Sequence, residues 1–235
     1  TPQELERLAR ALGEAGFHTI TPLLSGHGRS IAELQRTHHT RWIKDAEQAW
    51  SELASLKTGP RIIVGESFGS LLAFHLASKN PAQVDALVAL SPPIKMKRRK
   101  SRWSTYALSL LPDVLLDRLG TIPKEVRAPG ALVLERSAFP VHSLAGIARL
   151  EKIRREVTRR LSFVQAPTLL IQDPFEHHLA IDGLFSLADA LENSDISLRI
   201  VPGGQHELLL GREHEQVIRM VCEFLSGVVG QAETK

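Results

Sequence analysis

With 235 residues, of which 43% are hydrophobic and 23% are charged, the chain is long enough to bury a sizeable core as one domain with an insertion. Its single cysteine excludes an intrachain disulfide framework, and no apolar run approaches the ~20 residues of a membrane-spanning helix. The net charge is only +3, so the basic excess is local, and the composition is typical of a globular protein of the cytoplasm.

The first predicted element is an amphipathic helix at the start of the chain. Thr1 suits the N-cap, Pro2 the first helical position, and Glu4 completes a capping box, while Gly16 closes the helix. The apolar face of this helix consists of Leu5, Leu8, Ala9 and Leu12.

A second helical stripe covers residues 42–56 and ends at the Gly-Pro pair of residues 59–60. His38 and His39 stand just before this helix. Neither histidine has a carboxylate or a cysteine near it in the sequence, so the pair predicts a solvated helix start rather than a metal site.

The most informative pattern is G-x-S-x-G at residues 65–69, which follows the apolar run of residues 62–64 and precedes another helical pattern. A serine between a strand and a helix sits on a strained turn that exposes its hydroxyl. Ser67 is therefore a candidate nucleophile. The backbone N–H of Phe68, at the start of the following helix, would point at a developing oxyanion.

A further strand is predicted at Ala86–Leu90, and the pattern then turns mostly helical as far as about residue 165. A basic run opens this helical stretch. It could attract an anionic acyl carrier or a lipid surface, or it could be a solvated face, and no stacking aromatics are interleaved with it to indicate nucleic-acid binding. The run consists of Lys95, Lys97, Arg98, Arg99, Lys100 and Arg102.

Two more strands each precede a candidate catalytic group. Thr168–Gln172 is followed by Asp173 and Glu176, and the strand predicted at residues 196–201 is followed by His206. Carboxyl ends of parallel strands collect the reactive groups of an open α/β sheet. Cys222 falls on the apolar face of a last predicted helix, which favours a core residue over a nucleophile.

These segments resemble the α/β-hydrolase superfamily, and within it the bacterial carboxylesterases and monoacylglycerol lipases. Residues 22–28 resemble the family's P-x-x-x-G-H-G loop, residues 65–69 its nucleophile elbow, and residues 204–206 its histidine loop. The resemblance implies a mostly parallel sheet flanked by helices. It also implies a core at residues 1–93 and 163–235, with a helical cap inserted at residues 94–162.

For activity, the resemblance implies a serine hydrolase that cleaves carboxylic esters of short or medium acyl chains, or monoacylglycerols, through an acyl-enzyme. Ser67 would be the nucleophile, His206 the base, Glu176 the acid and Phe68 an oxyanion donor, with no cofactor and no metal ion. The family's acid is usually Asp, so Asp173 remains an alternative to Glu176. The apolar residues of the cap could line an acyl pocket or form the cap's own core; they are Trp103, Tyr106, Leu108, Leu110, Leu111 and Phe139.

Two other functions stay open at this point. One is a thioesterase or acyltransferase on the same triad, which the basic run favours. The other is a non-catalytic hydrolase-like binding protein, favoured by glutamate in place of aspartate and by a departure at the start of the chain.

That departure is the absence of the family's central strand and of the loop that supplies the second oxyanion donor. In the family, this strand lies between those corresponding to residues 18–23 and 61–64. The resemblance therefore predicts that N-terminal strands are missing from this sequence. The alternative is a reduced sheet in which the two flanking strands pair directly.

Overall fold

A four-stranded parallel sheet forms the centre of the protein, in the order β1-β2-β5-β6. Its strands are β1 (Ile62–Glu66), β2 (Ala86–Leu90), β5 (Thr168–Gln172) and β6 (Ile196–Ile200). A two-stranded antiparallel sheet pairs β3 (Thr121–Pro123) with β4 (Val141–Ser143). The computed structural model describes residues 1–56, 59–97, 102–123, 139–203 and 205–232.

Helices cover both faces of the parallel sheet. In chain order they are α1 (Pro2–Glu14), α2 (Ile31–Arg36), α3 (His39–Ser55), α4 (Phe68–Lys79), α5 (Arg102–Ser109), α6 (Asp113–Leu116), α7 (Leu144–Thr158), α8 (Ile181–Ala190) and α9 (His214–Ala232). No helix in the described ranges is long and apolar enough to cross a membrane. A cytoplasmic location stays a prediction.

The alternation of side chains along the buried strands divides the core into two layers. On β2, Leu87 and Ala89 pack against α3, α4, α7 and α8, whereas Val88 and Leu90 pack against α1 and α9. Every residue of β2 is buried, as expected for a strand paired on both sides and covered on both faces. This layered arrangement fixes the carboxyl ends of β1, β5 and β6 at one edge of the sheet.

Several predicted elements are found with small shifts of their bounds. The capping box between Thr1 and Glu4 starts α1 as expected. Cys222 is partly buried and packs against the core layer beneath α9. Within residues 94–162 the expected helices are joined by the β3–β4 pair, and α6 has only 4 residues. The division into a core and a cap at residues 94 and 162 stays a prediction.

The strand predicted at residues 18–23 is wrong, because residues 17–24 form no regular element and make no ladder with β1. The direct pairing of these two segments is therefore not found either. Within the described sheet, β1 is one of the two edge strands, and its residues line a cavity that Ile20, Pro22 and Leu24 also line.

Candidate active site

Ser67 lies on a sharp turn between β1 and α4. Its backbone has φ 50° and ψ −119°, a conformation that costs a non-glycine residue of order 1–3 kcal/mol. Gly65 permits the turn, since a Cβ at this position would lie 2.4 Å from the carbonyl oxygen of Gly69. The N–H of Ser67 donates to the carbonyl of Leu90 over 2.8 Å, which anchors the turn to the end of β2.

His206 comes from the loop that follows β6 and meets Ser67 across the edge of the sheet. The Oγ of Ser67 lies 2.7 Å from Nε2 of His206, although 139 residues separate the two in sequence. Gln205 holds the loop with φ 64°, and its N–H donates to Oδ2 of Asp173 over 2.8 Å. The hydroxyl and the imidazole are therefore within proton-transfer distance.

Glu176 lies behind the imidazole, on the loop that follows β5. Its side chain is fully buried, and Oε2 is 3.5 Å from Nδ1 of His206. The carboxylate also accepts the N–H groups of His178, over 2.7 Å, and of Leu179. The order hydroxyl, imidazole, carboxylate is the arrangement expected of a triad, with the last contact slightly longer than a hydrogen bond.

The ionisation of this pair follows from its surroundings. Burial on its own would raise the pKa of Glu176, but the neighbouring His206 and the two backbone donors hold it below the usual value. For His206, burial lowers the pKa, yet the carboxylates of Glu176, Glu207 and Glu66 together raise it above the usual value. Each group thus favours the charged form of the other.

Asp173 is also buried, but its carboxylate accepts hydrogen bonds from the backbone of the two loops. Its Oδ1 accepts the N–H of Phe175, and Oδ2 accepts the N–H of Gln205, each over 2.8 Å. Of the two candidate acids, Glu176 is the one whose carboxylate lies beside Nδ1 of His206.

Two lysines of the basic run make polar contacts near the loop that carries Glu176. Lys97 donates through Nζ to the carbonyl of Glu176, and its N–H donates to the carbonyl of His178 over 2.8 Å. Lys95 pairs with Asp182 at the start of α8. The side chains of Arg98, Arg99, Lys100 and Arg102 lie outside the described residues, so the role of the whole run stays a prediction.

Phe68 begins α4, and the first N–H groups of a helix have no partner within the helix. Its ring is held by two aromatic neighbours, Trp42 at 5.1 Å and His27 at 6.2 Å between ring centroids. Burial lowers the pKa of His27, which keeps this ring neutral against Phe68. The aromatic contacts fix the first turn of α4 beside Ser67.

A cavity of about 540 Å³ opens beside Ser67 and His206. Most of its wall is apolar, with Trp50 and Leu76 from the core and Phe139 and Val141 from residues 94–162. Of the other apolar residues proposed for an acyl pocket, Leu108 and Leu111 pack under α6 and α7, and Tyr106 and Leu110 are exposed. The side chain of Trp103 lies outside the described part of the chain.

The sequence interpretation missed Glu66, the residue that precedes Ser67. Its Oε1 accepts the N–H of Leu209 over 3.1 Å, which ties the elbow to the loop of His206. Burial raises the pKa of this carboxyl to about 7. The variable second position of G-x-S-x-G carries no signal that could have indicated this contact.

Outside this site, one group of three potential metal ligands occurs among the residues that the structure describes: His38, His39 and Asp113. The carboxylate is 75 residues away from His38 in sequence, so no local spacing could have indicated it.

The sheet, the elbow and the loops that follow β5 and β6 define the α/β-hydrolase class. The chain belongs to the Hydrolase_4 family (serine aminopeptidase, S33), which matches residues 3–214. The resemblance inferred from the motifs is thus confirmed, and the protein is an enzyme of the carboxylesterase and lipase type.

Individual relatives agree with this assignment. The chain is 23% identical to a thermostable monoacylglycerol lipase of Bacillus sp. (strain H-257), over 98% of this chain and 88% of that protein. It is 21% identical to a carboxylesterase of Bacillus subtilis, over 94% of this chain and 86% of that protein. A solved structure from a study of LipS and LipT, two metagenome-derived lipolytic enzymes, superimposes with a TM-score of 0.83 at 22% identity. The match covers 97% of this chain and 89% of that chain, and it confirms the fold.

Proposed function

We propose that the protein hydrolyses carboxylic esters of short or medium acyl chains, with monoacylglycerols among its substrates, through an acyl-enzyme on Ser67. The observation that carries the proposal is the 2.7 Å contact between Oγ of Ser67 and Nε2 of His206, with the buried carboxylate of Glu176 behind the imidazole. A hydroxyl needs such a base to become a nucleophile at neutral pH.

In the acylation step, Nε2 of His206 takes the proton of Ser67 as Oγ attacks the ester carbonyl. The N–H of Phe68 donates to the oxyanion. In other enzymes, removal of one such donor raises the activation free energy by about 2.7–4 kcal/mol. The imidazolium then gives its proton to the departing alcohol oxygen, and the ester C–O bond breaks.

In the deacylation step, His206 takes a proton from a water molecule as its oxygen attacks the acyl carbonyl. The bond between Oγ of Ser67 and the acyl carbon then breaks, and the imidazolium returns its proton to Oγ, which releases the acid and restores Ser67. Glu176 holds the imidazole in the orientation that presents Nε2 to Ser67 and stabilises the imidazolium. Because its 3.5 Å contact with Nδ1 is between a carboxylate and a ring that becomes positive, we expect this contact to shorten in the transition state.

The apolar cavity beside Ser67 favours binding of the acyl part of the substrate there. Residues 94–162 would act as a cap over a core of residues 1–93 and 163–235, since Phe139 and Val141 line the cavity beside Ser67. The monoacylglycerol lipase of Bacillus, which aligns with nearly the whole chain, supports a glycerol ester as the substrate class.

The thioesterase and acyltransferase alternatives drew their support from the basic run. Lys95 and Lys97 are engaged by Asp182 and by the carbonyl of Glu176, so the described part of the run is not a free cationic surface. We therefore retain ester hydrolysis, and matched oxygen esters and thioesters of one acyl chain would separate the two activities.

The proposal is tested by intact mass after treatment with a fluorophosphonate. We expect a single adduct on the wild type and none on Ser67→Ala. Ser143→Ala is the matched control, because this serine also lines the cavity but its Oγ accepts the N–H of Gly146 instead of facing a histidine. An adduct that persists in Ser67→Ala, or a wild type that is not labelled, would overturn the assignment of the nucleophile.

A further inference from the structure

Two imidazoles and a carboxylate converge between the start of α3 and the start of α6, and none of them belongs to the catalytic residues described above. His38 is the N-cap of α3, His39 is its first residue, and Asp113 is the first residue of α6. One ligand atom from each residue lies within 4.8 Å of the other two. Ligands of a tetrahedral zinc ion, with bonds of about 2.1 Å, lie about 3.4 Å apart.

We propose that His38, His39 and Asp113 bind a divalent transition-metal ion of the zinc type, with water in the fourth position. Two imidazole nitrogens and one carboxylate oxygen form a donor set suited to Zn²⁺ rather than to Mg²⁺ or Ca²⁺, which prefer oxygen ligands. Side-chain rotations that bring the separations of these atoms close to those of a zinc site would let all three bind one ion.

The local hydrogen bonds already orient two of the ligands. Nε2 of His38 lies 2.5 Å from Oδ2 of Asp113, and Nδ1 of His38 lies 2.8 Å from Oγ1 of Thr40. A metal-bound histidine usually has such a partner on its other nitrogen, because the partner fixes the tautomer and the direction of the ring. A metal ion between His38 and Asp113 would take the place of their direct contact.

His39 contributes a ring without a full set of partners. Its buried Nδ1 has no hydrogen-bond partner among the described residues, and its ring centroid is 4.3 Å from that of His38. A buried ring nitrogen left unpaired is destabilising, and a metal ion bound by this imidazole would offset that cost.

Two cationic side chains, Arg149 and Lys152, also lie close to the carboxylate of Asp113. Nε of the buried Arg149 donates to Oδ1 of Asp113 over 3.1 Å, whereas Oδ2 faces His38. Nζ of Lys152 is 3.5 Å from both oxygens. A second carboxylate, Asp117, pairs with Arg149, so the two acidic and two basic side chains balance before any ion binds.

The proposed site joins two parts of the chain that also meet at Gln35, whose side chain donates to the carbonyl of Leu119 and whose carbonyl accepts from Arg149. His38 and His39 belong to the segment before β1, and Asp113 belongs to residues 94–162, whose side chains also reach the cavity at Phe139 and Val141. A bound ion would therefore hold α6 onto α3 and raise the thermal stability of the protein. This inference does not depend on the identity of the nucleophile.

The test is a titration of the full chain, stripped with a chelator, with ZnCl₂ in a calorimeter and in a thermal-unfolding assay. We expect one equivalent to bind the wild type and to raise Tm, since an ion that binds the native state stabilises it. The same result is expected for His18→Ala, an exposed histidine outside the cluster that serves as the matched control.

The ligand variants are His39→Ala and, in case this change disturbs the helix start, the more conservative His38→Gln. We expect both to lose the tight equivalent and the rise in Tm, while circular dichroism remains that of the wild type. Co²⁺ should give tetrahedral visible bands with the wild type and not with either variant. Binding that survives unchanged in a folded variant, or a wild type that binds no equivalent, would overturn the proposal.

Discussion

Burial lowers the pKa of the His206 imidazole, but the nearby carboxylates, of which Glu176 has the largest effect, raise it above the usual value. Because general-base catalysis needs the neutral ring, we expect kcat/KM of the wild type to fall as pH drops through a pKa above 6.5. Glu176→Gln removes the charge that raises the pKa, so the acid limb should move to lower pH. Loss of the acid of a triad also lowers kcat by about 10⁴-fold.

The measurement is a profile of kcat/KM between pH 5 and pH 9 with a p-nitrophenyl ester. Asp173→Asn is the matched control, because this carboxylate accepts backbone N–H groups and not Nδ1 of His206. If the acid limb of the profile moved in Asp173→Asn but not in Glu176→Gln, Asp173 would be the acid of the triad instead.

Glu66 carries a second pH dependence, which concerns stability rather than turnover. Its carboxyl faces the N–H of Leu209, with His206, Glu207 and Glu4 as the neighbouring charged groups, and burial raises its pKa to about 7. Between pH 4.5 and 7 the folded protein therefore binds more protons at this position than the unfolded chain does. The contribution of Glu66 to the free energy of unfolding should fall as pH rises through this window, by of order 1–3 kcal/mol.

Urea unfolding of the wild type and Glu66→Gln at pH 5 and pH 8 would check this sign. The glutamine keeps an acceptor for Leu209 and carries no charge, so the variant should lose less stability between the two pH values than the wild type. An equal loss in both proteins would contradict the assignment of this pH dependence to Glu66.

At the scale of elements, we expect the turn between β1 and α4 to require the glycine at Gly65 and to tolerate a side chain at Gly69. A Cβ on Gly65 would lie 2.4 Å from the carbonyl oxygen of Gly69 and 2.6 Å from Cα of Ser70, and both of these are backbone atoms. Gly65→Ala should therefore displace α4 from β1, with a loss of more than about 2 kcal/mol in unfolding free energy and of fluorophosphonate labelling.

Gly69→Ala is the control for this change. Position 69 is helical, and a Cβ there has no heavy atom within 4 Å outside the helix backbone, so this variant should keep its labelling and gain up to about 1 kcal/mol from helix propensity. Equal behaviour of the two variants would show that the turn is not limited by the contact at Gly65.

Elements with local signals could be predicted from the sequence, and those that depend on distant partners could not. The cap of α1 and the strand-serine-helix pattern around Ser67 are encoded within a few residues. Residues 18–23 correspond to a strand of the family, yet a strand forms only when a neighbour supplies the ladder, and β1 does not pair with them. Likewise, Asp113 lies 75 residues from His38 in sequence, and only the folded chain brings the two side chains into contact.

At the scale of the whole molecule, the apolar cavity predicts a dependence on acyl chain length. Each methylene of the acyl chain that is buried against residues such as Trp50 and Leu76 is worth about 0.8 kcal/mol, or about fourfold in kcat/KM, until the chain fills the space. We expect kcat/KM to rise from acetyl to medium-chain p-nitrophenyl esters. Phe139→Ala should reduce it more for the longer esters than for the acetate.

The measurement is kcat/KM across the ester series for the wild type and Phe139→Ala, with Ser67→Ala as the blank for uncatalysed hydrolysis. A flat series in the wild type, or an equal loss for all esters in the variant, would contradict binding of the acyl chain in this cavity.

The three groups assembled at the edge of the sheet come from loops after β1, β5 and β6, and 139 residues separate Ser67 from His206. No short stretch of the chain can bring them together, so a reactive serine exists only in molecules whose strands are all in register. The rate of covalent labelling of Ser67 during refolding from urea would therefore report how fast the native topology is completed. Far-ultraviolet dichroism, which reports helices that form locally, should recover before the label is incorporated.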